Sequence, residues 1–165
     1  MSEAERAYER ALTFLEKRDR TEREVLDKLC GAGYGEEAAL AAIERLRDAG
    51  LVNDEDYAAR YLMALIAKGR GRLRISSEMR RKGLSEELVR NTIEDGLSAD
   101  DEREMAADAA RRCLSGLPKD LDRRKAAVKV NRKLAVLGFT WDVIGSAVRE
   151  MRIETDDVDD EEVQG

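Results

Sequence analysis

The chain has 165 residues, 40% of them charged and 4% aromatic, with one Pro, no His and a formal net charge of −6. Absence of His removes the commonest general base and zinc ligand, and no run of about 18 apolar residues offers a transmembrane helix. Such a composition favours long, solvated helices over a thick core. The charge is uneven. Residues 1–67 hold 10 Lys/Arg against 15 Asp/Glu, residues 68–153 hold 20 against 14, and residues 154–165 hold none against seven.

In chain order, Glu3 to Lys17 reads as a helix with Ala4, Ala7, Tyr8, Ala11, Leu12 and Leu15 on one face. Thr21 opens the second, Glu24 completes a capping box, Val25, Leu26 and Leu29 form the apolar stripe, and Gly31 and Gly33 stop it. The third runs from Glu36 to about Ala49 with Ala39, Leu40, Ile43 and Leu46 inward. Helices four to six are expected over about 53–68, 72–82 and 85–96, capped at Asn53 and Ser85. Tyr57, Ala58, Tyr61, Leu62, Leu65 and Ile66 recur at helical spacing in the fourth. Helices seven to nine are expected over about 100–114, 120–137 and 140–151, with Pro118 between seven and eight and Thr140 capping the ninth.

The pattern repeats. Gly33, Gly83 and Gly138 each follow a short helix. Eight residues earlier stand Val25, Ile75 and Val130; four earlier, Leu29, Met79 and Leu134; one later, Tyr34, Leu84 and Phe139; ten later, Ile43, Ile93 and Val148. Four apolar columns agreeing in three copies predict an all-α fold of three tandem three-helix repeats, stacked into an elongated, curved array. The predicted divisions are 1–50, 51–98 and 99–153, followed by an acidic, disordered tail over 154–165.

The central stretch carries a family resemblance. Leu51, Asp54 and Tyr57-Ala58 follow an L-x-D-x-x-Y/F-A pattern with one extra residue after the Leu, and the acid can equally be slid by one. An R-I-x-x-E-M-x-x-K-G pattern falls on Arg74-Ile75, Glu78-Met79 and Lys82-Gly83. Together they resemble the centre of the RecX family, regulators of the recombinase RecA. The resemblance implies tandem three-helix repeats and a protein that binds the RecA nucleoprotein filament and modulates, most often inhibits, its activity.

Read for chemistry, the sequence offers no catalytic site. It has no Ser or Cys nucleophile motif, and Gly69 and Gly71 stand in KGRGR rather than a phosphate-loop fingerprint. Acid groups such as Asp54-Glu55-Asp56 read as a helix N-terminus rather than a metal site or the centre of a metal-dependent nuclease. No cofactor or metal is expected. Cys30 and Cys113 lie beside apolar stripes and are expected as small core hydrophobes with free thiols. The basic residues are more informative. Arg70, Arg72 and Arg74 stand where Glu78 is the one acid between Arg60 and Glu86. Arg81 lies near the end of the same helix, and Lys125, Lys129 and Arg132 share a face of the eighth. These seven are the candidate contacts to phosphate or to an acidic protein surface; solvated helix faces are the plainer alternative. Direct binding of single- or double-stranded DNA by helix-turn-helix-like units is the alternative function. The acidic N-terminus is no secretory signal, so a cytoplasmic monomer without membrane attachment is expected.

Overall fold

Glycine turns and side-chain caps cut this chain into helices. The computed structural model describes residues 1–151, and these form nine helices and no strand. They are α1 (Glu3–Leu15), α2 (Glu22–Gly31), α3 (Glu36–Asp48), α4 (Asp54–Ala67), α5 (Arg72–Arg81), α6 (Glu86–Gly96), α7 (Ala99–Ser115), α8 (Arg123–Leu137) and α9 over 141–151. The all-α repeat architecture expected from the sequence is borne out. The expected tail, 154–165, lies outside the described residues.

The caps are local chemistry. Thr21 and Glu24 form the predicted reciprocal box, the Thr21 hydroxyl accepting from the Glu24 amide at 3.1 Å and the Glu24 carboxylate from the Thr21 amide at 3.2 Å. Asn53 accepts from the Asp56 amide and Ser85 from the Leu88 amide. The eighth helix begins three residues later than expected, because Asp122 turns its carboxylate onto the Arg124 amide and so ends the preceding loop.

The stops explain two of the apolar columns. Gly33, Gly83 and Gly138 have φ of 95°, 83° and 95°. At each, the glycine amide and the next amide bond back into the last turn: Tyr34 to the Leu29 carbonyl, Leu84 to Met79 and Phe139 to Leu134. This is the Schellman arrangement, which sets the residue after the glycine beside the residue four before it. The turn brings each pair together, burying it in the second and third copies and half-burying Tyr34 in the first. Leu29, Met79 and Leu134 are fully buried, and Leu84 and Phe139 nearly so.

The described residues group into two compact units. One is Met1–Leu62 with Ser77–Thr92; the other is Met63–Ser76 with the residues from Ile93 onward. The first has a core of α1–α3 side chains, including Ala7, Ala11, Val25, Leu29, Ile43 and Leu46. The second is centred on Ala106, Ala110, Val130, Leu134, Phe139 and Ile144, from α7 to α9. Two expectations need correction. Leu40 is 49% exposed and lines an open cleft of the first unit, since Ala39, Ala42 and Ile43 already fill the α3 face toward the core. Cys30 is exposed and only Cys113 is half-buried against a core; both thiols are free.

A docking contact recurs within each unit. In the first, the Thr21 hydroxyl, at the start of α2, donates to the Lys82 carbonyl at 2.6 Å, and Gly83 lies under Arg23. In the second, the Gly71 and Leu73 amides, at the start of α5, donate to the Leu137 and Gly138 carbonyls at 2.7 and 2.9 Å. In both, the start of one repeat's middle helix meets the glycine turn of the following repeat.

Candidate partner-binding surface

The seven candidate cations fall into three settings. Arg72 is built into the fold of the second unit. Its Nε donates to Glu102 Oε2 at 3.0 Å and its Nη2 to the Leu97 carbonyl at 3.0 Å. The Glu102 side chain is only 4% exposed. In the sequence this arginine has no acid within five residues; tertiary folding brings one from 30 residues away. Arg74 is also committed. Its Nη1 lies 3.4 Å from the Val136 carbonyl, and its backbone and Cβ pack on Gly138.

Arg70 and Arg81 are differently placed. Arg70 follows the α4 stop, where its amide bonds to the Leu65 carbonyl; its side chain is half-buried. Arg81 is exposed at the end of α5. Neither forms an ion pair among the described residues. Arg70 belongs to the second unit and Arg81 to the first.

Lys125, Lys129 and Arg132 make the third setting. Helix α8 buries Ala126, Val130 and Leu134 and turns Lys125, Lys129 and Arg132 outward. Its sequence, RRKAAVKVNRKLAVL, contains six cations and no acid. The three form no ion pair among the described residues. Val128 and Val136, 47% and 65% exposed, lie on the same outer surface. This face combines unneutralised charge with uncovered apolar area, a pairing suited to a macromolecular partner carrying acid or phosphate. Lys133, not among the seven, continues the four-residue spacing of Lys125 and Lys129, and that spacing is its signal in the sequence.

The remaining candidates are structural. Asp54 accepts from the Glu22 amide at 2.9 Å, capping α2 from another helix, which gives the motif acid a job in the fold. Burial raises its pKa despite that bond. Asp56 pairs with Arg60. Among the described residues no three His, Cys, Asp or Glu side chains are grouped to hold a metal ion. Tyr57 and Tyr61 are half-buried with rings 5.8 Å apart, and burial raises both phenol pKa values. No described helix is long and apolar enough to cross a membrane.

Fold and surface together define a tandem three-helix-repeat protein with a basic face on one helix of its last repeat. Comparison with known proteins gives the family. The models of the first and second three-helix domains of RecX match residues 7–46 and 53–93. A "Regulatory protein RecX" of Mycobacterium sp. (strain KMS) is 34% identical over 132 residues, covering 79% of this chain and 71% of its own. One of Clostridium perfringens (strain 13 / Type A) is 33% identical over 142 residues. That match covers 86% of this chain, which thus spans 66% of the clostridial relative. The crystal structure of RecX from Lactobacillus salivarius superposes with a TM-score of 0.83 over 92% of this chain and 97% of its own, at 23% identity, a likeness of fold. A second RecX crystal structure gives a TM-score of 0.76 at 26% identity, over 86% of this chain and 70% of its own. The chain belongs to the RecX family.

Proposed function

We propose that this protein binds the RecA nucleoprotein filament and restrains it, limiting filament growth, strand exchange and ATP hydrolysis without a catalytic step of its own. Membership in a family of regulatory proteins carries the reading. The outer face of α8 supports it, because Lys125, Lys129 and Arg132 stand unneutralised beside exposed valines. A filament presents phosphates and acidic protein surface, and a cationic face gains from releasing the counterions held there. Arg70 and Arg81 are auxiliary contacts in this reading. Arg72 and Arg74 act mainly by holding α5 in place. The protein works as a cytoplasmic monomer.

The test compares Lys125→Ala with Lys129→Ala against Arg70→Ala, in filament co-sedimentation and in inhibition of DNA-dependent ATPase. The α8 double variant should bind the filament at least tenfold more weakly, about 1.4 kcal/mol, with unchanged melting. Arg70→Ala should have a smaller effect. Wild-type inhibition by the α8 variant would move the binding surface elsewhere. Tight binding to naked DNA with a steep salt slope, but none to the filament over its DNA, would favour a direct DNA-binding protein instead.

A further inference from the structure

The second unit contains a cleft beside the proposed regulatory surface, reached by Lys133 of the same helix. It has a volume of about 350 Å³ and opens between the end of α4, the second half of α7 and the end of α8. Lys68, Arg112 and Lys133 reach it from those three helices. All three are exposed, and none forms an ion pair among the described residues. Asp108 also lines the cleft, but Arg111 already binds its carboxylate. Two of the cations lie at helix C-terminal ends, Lys68 just past α4 and Arg112 in the last turn of α7. A helix end supplies roughly half a negative charge, felt within its last turn. Three full cations therefore leave the mouth of the cleft positive.

The floor is of another kind. Ile66, Met105 and Leu137 are half-buried and apolar, and Cys113 lies among them. A bare anion would leave this surface wet. The volume is at the small end of the range for small-molecule sites, about 300–1,000 Å³. A ligand that joins one flat, weakly polar group to a phosphate matches both parts. We propose that this cleft binds a nucleotide, its base against Met105 and Leu137 and its phosphate between Lys68, Arg112 and Lys133. Two sources share that chemistry, a free nucleotide and one unit of a single-stranded nucleic acid. Lys125, Lys129 and Lys133 form a row of four-residue steps along α8, about 12 Å long, leading to the cleft. The row gives a strand a path to the cleft.

Cys113 provides the test, because the second thiol, Cys30, is exposed in the other unit. The full chain is alkylated with iodoacetamide, and each cysteine's rate is read by mass spectrometry. ADP probes the free nucleotide, a 15-residue oligothymidylate the strand, and inorganic phosphate the anion alone. No recombinase is present, so the result is independent of the filament reading. A bound nucleotide should slow Cys113 at least fivefold and leave Cys30 unchanged. Protection by ADP assigns a free nucleotide; protection by the oligonucleotide alone assigns a strand. Lys68→Gln with Lys133→Gln should abolish protection, and Lys68→Arg with Lys133→Arg should keep it. The proposal fails if neither ADP nor the oligonucleotide protects Cys113, if phosphate alone protects as well, if Cys30 is slowed equally, or if protection survives the glutamine pair.

Discussion

Arg72 belongs to an acid-free basic stretch in the sequence and to an ion pair with the nearly buried Glu102 in the structure. Removing one partner of such a pair strands the other charge. Arg72→Ala should therefore destabilise by about 3 kcal/mol, read by urea unfolding. Adding Glu102→Leu should recover most of the loss, since the stranded carboxylate goes with it. Any binding defect of Arg72→Ala must be judged against that instability. Asp54 gives a pH signature. Its folded pKa is raised, above all by burial, so its protonated form is the one favoured by folding. Its contribution is fully present below the ordinary aspartate pKa of about 3.9 and is lost as pH rises through the raised value. The melting temperature of wild type relative to Asp54→Asn should thus fall between pH 3.5 and pH 7. A difference that rises over this range would mean that the bond from the Glu22 amide outweighs burial.

Glycines show how one residue type does different work in different elements. A Cβ on Gly71 would meet the backbone of Gly138 and Phe139 at 2.5 Å, where no side chain can rotate away. Gly71→Ala should destabilise by about 1–3 kcal/mol by forcing α5 off the turn after α8. Gly31, the last residue of α2, has open space around its Cβ position and no positive φ. Gly31→Ala should be neutral or stabilise by up to about 1 kcal/mol, through a less flexible unfolded chain. Thermal melts of the two variants test the docking contact. Leu134→Ala checks the repeat register: at a fully buried Schellman position it should destabilise by about 2–5 kcal/mol in urea unfolding.

At the scale of the whole molecule, charge is partitioned. Residues 1–62 with 77–92 hold 14 Lys/Arg against 18 Asp/Glu, and residues 63–76 with 93–151 hold 15 against 11. We propose boundaries of 1–50, 51–98 and 99–153 for the sequence repeats, so the central repeat contributes to both contact units. Residues 154–165 add seven acids and no cation, so their removal takes the net charge from −6 to +1. An acidic segment on a chain with a basic face lowers the attraction felt by an anionic partner. Deleting 154–165 should strengthen binding to filament or DNA, more at low salt than at high. Binding isotherms at two salt concentrations check it; equal affinities at low salt would reduce the segment to a solubility device.

By itself the sequence determined the helices, their stops and the repeat. Caps, left-handed glycines and a 3.6-residue apolar period act within a few residues, and Val25, Ile75 and Val130 are buried where that period puts them. It also showed the basic face of α8, because a face is a local property of one helix. Only the tertiary structure decided which cations are free. Glu102 reaches Arg72 across 30 residues, Val136 reaches Arg74 across 62, and no local period encodes such a meeting. The cleft of Lys68, Arg112 and Lys133 was hidden for the same reason. Its charges come from three helices and converge only when α4, α7 and α8 have packed.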